Sequence, residues 1–215
     1  MSSPKQCVFL GHSFTRRLGI YINETRPNFG FSRERIEVHF VGVGGLKINQ
    51  LVNNEERLNL IRNFHPQTLV LQIGDNDINP ESIPHVIVEE MLSAASALRG
   101  LLPSVIKIVF VKIMPRNTEW GTSRYLFHGY NALAMEINGL LQDAIWEREI
   151  KNTILYRTDW CFPQENEEKF ANLIGLGLGI PSSYDNDGVH LSPVGMRKLV
   201  YRLRQIVVWA LKDKL

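Results

Sequence analysis

Short β-rich runs that end at glycine and lead into helix-periodic segments constrain this chain more than any other feature. Cys7-Val8-Phe9-Leu10-Gly11 reads as a strand, and Phe14, Leu18 and Ile22 follow at the spacing of one helical face. Ile36 to Val43 reads as a second strand, ended by Gly44-Gly45, after which Ile48, Leu51 and Val52 begin another helical pattern. Thr68 to Ile73 is a third and closes with the turn-forming string Gly74-Asp75-Asn76-Asp77. Pro84 opens a helix lined by Ile87, Met91, Ala94, Ala95 and Leu98 until Gly100 and Pro103 break it. Val105 to Ile113 is the strongest buried-strand candidate. Leu126, Tyr130, Leu133, Ile137, Leu141 and Ala144 mark a long helix, and Thr153 to Tyr156 supply a short fifth strand. Ser192 is placed to cap, and Pro193 to begin, a last helix lined by Leu199, Leu203, Ile206, Val207 and Ala210.

Strands separated by helices favour parallel pairing with both sheet faces covered. The expectation is an α/β fold, a three-layer α/β/α sandwich around a parallel sheet of roughly five strands in the flavodoxin-like manner. The length of 215 residues, with 44% hydrophobic and 21% charged residues, suits one globular domain spanning 1–215. Ligands of such sheets collect beyond the carboxyl ends of the strands. The turns Gly11–Ser13, Gly44–Gly45 and Gly74–Asn76, together with the segment before the last helix, are therefore expected on one rim.

The 24 Lys and Arg nearly balance the 22 Asp and Glu, so the net charge of +2 does not by itself indicate a nucleic-acid protein. With only Cys7 and Cys161 there is no disulfide scaffold, and both are read as reduced thiols. Met1 to Gln6 lack a signal-peptide core and no apolar run is long enough for a membrane span, which gives an expectation of an intracellular, cytoplasmic protein.

The rim turns carry a set of groups suited to acyl transfer. Ser13 follows the first strand at a helix amino end, where free N–H groups and the helix dipole favour negative charge; it is either a nucleophile or a plain helix cap. His190, three residues after Asp187, can take and return the serine proton while that carboxylate fixes its tautomer, with Asp185 a competitor for the carboxylate role. The Gly45 N–H, the Asn76 side-chain amide and the Ser13 N–H can together form an oxyanion hole, against ordinary turn roles for the glycine and the asparagine.

Taken in order, Val8-Phe9-Leu10-Gly11-His12-Ser13, Gly42-Val43-Gly44-Gly45, Gly74-Asp75-Asn76-Asp77 and Asp187-Gly188-Val189-His190-Leu191 resemble the four sequence blocks of the SGNH hydrolase superfamily, the GDSL-type esterases and lipases. The last two blocks are similar to those of small acetylhydrolases that cleave platelet-activating factor, and the first to SGNH domains of some retrotransposon proteins. The resemblance implies a serine esterase with Ser13 as nucleophile, His190 as base and Asp187 as its orienting carboxylate. It further implies Gly45 and Asn76 as oxyanion donors, with Gly44 as the fallback for the second block. It implies a small-molecule ester as substrate and no cofactor, and the scattered His12, His39, His65, His85, His128 and His190, with no zinc-ligand spacing, give an expectation of no metal. One departure stands out: His12 occupies the position before the nucleophile where the family usually has aspartate, which alters the support of that turn or puts a second imidazole near Ser13.

Other features have plainer readings. Asp185-Asn186-Asp187-Gly188 is not a calcium loop, because Val189 and Met196 stand where ligands are required. The glycines from Gly175 to Gly179 lack the strand and helix of a dinucleotide fingerprint. Trp120, Trp160 and Phe162 line an acyl or alcohol pocket or simply pack, and Arg116 is read as a solvated arginine in preference to an anion site. Arg197, Lys198, Arg202 and Arg204, with Lys212 and Lys214, make the last helix basic. Most of this charge is read as the solvated side of an amphipathic helix; together with His12 it also supports the alternative of a catalytically silent SGNH-like module making weak contact with RNA, another protein or an anionic membrane.

Overall fold

The computed structural model describes residues 3–116, 129–156 and 183–211. Five strands, β1 (Lys5–Gly11), β2 (Ile36–Gly42), β3 (Thr68–Gln72), β4 (Lys107–Val111) and β5 (Thr153–Tyr156), alternate with helices α1 (Ser13–Thr25), α2 (Glu55–Phe64), α3 (Pro84–Leu101), α4 (Tyr130–Glu147) and α5 (Pro193–Ala210). All pairings are parallel, in the spatial order β2-β1-β3-β4-β5. The expected α/β class and three-layer arrangement are therefore observed.

Side-chain alternation along the strands builds the layers. Val8, Leu10, Leu69, Leu71, Ile108 and Phe110 pack with α2, α3 and α4, whereas Cys7, Phe9, Val70, Val109 and Val111 face α1 and α5. β1 is buried on both faces at its centre, which explains why its sequence reads as a continuous apolar run and not an alternating one. Burial also pushes the Cys7 thiol well above its ordinary pKa, so it remains a protonated packing residue.

Several element boundaries differ from the sequence reading; the strand expected over Val105–Ile113, for instance, spans only Lys107–Val111. The helix expected from Ile48 is a single 3-10 turn, Ile48–Gln50, and α2 begins only at Glu55. The cause is Asn54, whose Oδ1 accepts the Arg57 N–H at 2.8 Å and so caps a new helix. The long helix expected from Leu126 is described from Tyr130, next to Gly129 at φ +95; Leu126 lies outside the described residues. Among the described residues no helix is long and apolar enough to cross a membrane.

The 2-1-3-4-5 order puts its topological switch point between β1 and β3. The register aligns Gly11 with both Gly42 and Gln72, so β1, β2 and β3 end level beside that point. Close helix approach depends on the same strand ends: a methyl group on Gly42 would lie 2.6 Å from Arg16 Cα in α1. Gly42→Ala is therefore expected to lose about 1–3 kcal/mol of stability through overpacking. Gly139→Ala, in open space on α4, is expected to gain about 0.5–1 kcal/mol. The midpoints of urea unfolding curves read both changes.

Candidate active site

The nucleophile turn begins with the helix cap. His12 has extended backbone (φ -87, ψ -153), and its Nδ1 accepts the Phe14 N–H at 3.5 Å. Ser13 is thus the first residue of α1 and not its cap. Its own N–H lacks an intrahelical acceptor by position, and its hydroxyl projects from the positive end of the helix.

The segment before α5 supplies the partner. Asp185 N–H donates to the His190 carbonyl at 2.8 Å, and Tyr184 bridges Leu191. Ser192 caps α5 by accepting the Gly195 N–H. His190 Nε2 lies 2.9 Å from Ser13 Oγ, and His190 Nδ1 lies 2.6 Å from Asp187 Oδ2. A carboxylate at Nδ1 requires the hydrogen there, which leaves Nε2 as an acceptor for the serine O–H. Phe14 packs against the His190 ring at 5.7 Å and the His12 ring at 5.4 Å, holding both imidazoles from the side.

Asp187 remains ionised for a local reason. Partial burial favours its neutral form, but the His190 ring and the backbone N–H groups of His190 (2.8 Å) and Val189 (2.9 Å) hold its carboxyl below the usual range. Asp185, the competing carboxylate, instead pairs with Arg17 at 2.8 Å. That contact settles which aspartate meets the imidazole.

The β2 turn and the β3 turn are tied to each other. Leu46 N–H reaches the Val43 carbonyl at 3.3 Å, with Gly45 at φ +71 in the third position of this turn, a conformation that favours glycine. Asn76 Nδ2 donates to the Leu46 carbonyl at 3.0 Å, which occupies one of its two amide hydrogens. Ile48 N–H donates to Asp77 at 3.3 Å. Gly45 and Asn76 therefore share one rim with Ser13 through the strand register, although no hydrogen bond among the described residues joins either of them to it.

The structure corrects the reading of Arg116. It is buried, with Nη2 donating to the Asp75 carbonyl at 2.9 Å and its guanidinium 3.9 Å over the Tyr130 ring. An arginine that can satisfy a backbone carbonyl and stack on an aromatic face is retained inside, which its position after a proline did not reveal. Trp120, Trp160, Phe162 and the Gly175–Gly179 string lie outside the described residues.

No protein-family model matches the sequence, and no curated protein sequence matches it. Solved structures do. A Streptococcus pneumonia protein described as a platelet activating factor is 16% identical, with 96% of this chain and 85% of that one covered at a TM-score of 0.67. A GDSL-like lipase from Bacteroides thetaiotaomicron is 19% identical over 98% of this chain and 93% of that one, at a TM-score of 0.63. A catalytic serine-to-alanine mutant of an acetylxylan esterase from Geobacillus stearothermophilus is 16% identical over 96% and 95%, at a TM-score of 0.60. The fold is that of the GDSL-like hydrolases. Within this hydrolase fold, Ser13, His190 and Asp187 meet in one hydrogen-bonded line at the switch-point end of the sheet.

Asp77 carries a raised carboxyl on the rim. Burial pushes it up to about 6, against the Ile48 N–H and the Lys47 charge, which favour ionisation. The folded form therefore holds this proton more tightly than the unfolded chain, and ionisation opposes folding as pH rises from about 4 through 6. Asp77→Asn, which still offers an oxygen to Ile48, is expected to stabilise the protein at pH 8 by about 1 kcal/mol more than at pH 4 after solvent screening. Thermal unfolding at the two pH values measures the difference.

Proposed function

We propose that the protein is a serine esterase of the SGNH type that hydrolyses a carboxylic ester with a small or exposed acyl group. The observation that carries this reading is the continuous line from Ser13 Oγ to His190 Nε2 at 2.9 Å and from His190 Nδ1 to Asp187 at 2.6 Å. Its likeness to proteins described as a GDSL-like lipase and an acetylxylan esterase supports the same chemistry, with acetyl esters of lipid or carbohydrate as the substrate class.

In this mechanism Ser13 Oγ attacks the ester carbonyl carbon as His190 Nε2 takes its proton, and Asp187 stabilises the imidazolium. The negative oxygen of the tetrahedral intermediate accepts hydrogen bonds from the Ser13 and Gly45 N–H groups and from the second Asn76 amide hydrogen. Collapse breaks the bond to the alcohol, which leaves with the proton from His190. Water then attacks the acyl-serine with the same imidazole as base and releases the acid. The reaction so written needs no cofactor.

A second reading, a silent module that binds RNA or another anionic partner, is favoured by α5, which carries Arg197, Lys198, Arg202 and Arg204 and no acidic residue. Two of these are turned to structural use: Arg204 donates to the Phe29 carbonyl at 3.1 Å and Lys198 to Ser183 at 3.1 Å. The catalytic reading therefore has the stronger support. Lys212 and Lys214 lie outside the described residues.

Turnover of a short-chain aryl ester tests the two readings. Ser13→Ala is expected to abolish it, and Asp187→Asn to lower kcat by about 10³–10⁴-fold by favouring the wrong imidazole tautomer. A serine-directed organophosphonate should add to Ser13, mapped by mass spectrometry. Equal rates in wild type and Ser13→Ala would remove Ser13 from the mechanism, and salt-sensitive RNA binding without turnover would favour the second reading.

A further inference from the structure

Beside the triad lies a second imidazole and carboxylate that the mechanism leaves unused. His12 directly precedes Ser13 and Asp75 directly precedes Asn76; their side chains are 2% and 3% exposed and meet at 2.8 Å. The His12 ring serves two elements at once, with Nδ1 toward the Phe14 N–H of α1 and Nε2 toward Asp75. Asp75 is gripped again through its main chain, where Arg116 Nη2 donates to its carbonyl, the carbonyl of the peptide unit that contains the Asn76 N–H. One residue back, the Pro115 carbonyl accepts the Tyr184 hydroxyl at 2.6 Å, and Tyr184 bridges Leu191 beside His190. A continuous path thus runs from the residue next to the nucleophile, past the residue next to Asn76, to the loop that carries the base.

We propose that His12, Asp75, Arg116 and Tyr184 form a positioning belt that holds Ser13, Asn76 and His190 in mutual register, with the His12–Asp75 bond as its central link. The inference rests on the esterase reading. The belt acts through other residues: at 2% and 3% exposure its central pair is shut off from substrate and water. Capping alone does not account for it, since asparagine, serine or aspartate caps a helix at least as well without burying an imidazole and a carboxylate. Nor does stability alone, because removing such a pair from water offsets much of its attraction. A cross-link between two turns that must stay aligned to within a fraction of an ångström does account for it.

Two substitutions separate the bridge from the cap. His12→Asn keeps a capping oxygen near the position of Nδ1 but is too short to reach Asp75. His12→Gln carries an amide nitrogen near the position of Nε2 and keeps the bridge while giving up the cap. With a short-chain aryl ester, His12→Asn is expected to lower kcat by about 10²-fold with KM held within about twofold. His12→Gln is expected to recover about tenfold of that loss, and organophosphonate labelling of Ser13 to follow the same order. Circular dichroism and thermal unfolding check that each variant is folded; should His12→Asn fail to fold, Asp75→Ala, which removes the acceptor of the His12 Nε2–H, takes its place with the same expected fall in kcat. Wild-type kcat in the bridge-breaking variant, or activity retained in His12→Asn and lost in His12→Gln, overturns the assignment while leaving the esterase reading intact. A wild-type protein that neither turns over ester nor labels at Ser13 overturns the esterase reading and this inference with it.

Discussion

The parallel register of β1 against its two neighbours is the constraint from which the site follows. Because Gly11 stands opposite Gly42 on one side and Gln72 on the other, three chain segments leave the sheet at the same level. The first enters α1 at Ser13, the second makes the Gly45 turn, and the third makes the turn of Asp75, Asn76 and Asp77. A one-residue slip of β1 would turn Val8 and Leu10 from the α3 and α4 layer to the α1 and α5 layer. The hydrophobic pattern that fixes the core therefore also fixes which polar groups meet at the rim.

The two histidine–aspartate pairs use similar contacts in different surroundings. His190 is 19% exposed and Asp187 35%, so that pair is open to solvent where the His12–Asp75 pair is closed to it. Asp75 has the same direction of shift as Asp187. Burial opposes its ionisation, but the adjacent His12 and Arg116 outweigh that effect and hold its carboxyl below the ordinary value. A native-state pKa below the unfolded value stabilises the fold above the ordinary carboxylate range and ceases to do so in acid. Both aspartates thus make the rim sensitive to low pH, Asp187 through its contact with His190 and Asp75 through its contact with His12.

The repeated strand–glycine–helix pattern carried the fold well because each period matches one buried face: Phe14, Leu18 and Ile22 are all buried, as are Leu199, Leu203 and Ile206. The strand-end position of Ser13 and the short Asp187–His190 spacing likewise made the line of contacts legible before any coordinates. Three features were not legible. Asn54 restarts a helix because its side chain finds the Arg57 N–H, a competition between local hydrogen bonds that hydrophobic spacing does not report. Arg116 looks like a surface residue until Tyr130 and the Asp75 carbonyl, distant in sequence, are seen around it. Asp75 stood in the Gly74–Asp77 block without a role assigned to it, and Tyr184 had no motif of its own; their contacts with His12 and the Pro115 carbonyl join residues distant in sequence.

The charge balance around Ser13 completes the argument. Four aspartates lie in the turns that build the rim, and an unmatched carboxylate there would resist the negative charge that the proposed acyl transfer places on that rim. Asp185 is matched by Arg17, Asp187 by three N–H groups, and Asp75 by His12 and Arg116. Asp77 has only the Ile48 N–H and the Lys47 charge, too little to offset burial, and its carboxyl rises to about 6. The first turns of both α1 and α5 carry no acidic residue, so the positive ends of these helices are not neutralised by their own side chains. With most of the nearby negative charge taken up by specific donors, the positive end of α1 lies at Ser13 with the Phe14 N–H already turned to the His12 ring, and the esterase reading proposed above draws on the Ser13 N–H that remains.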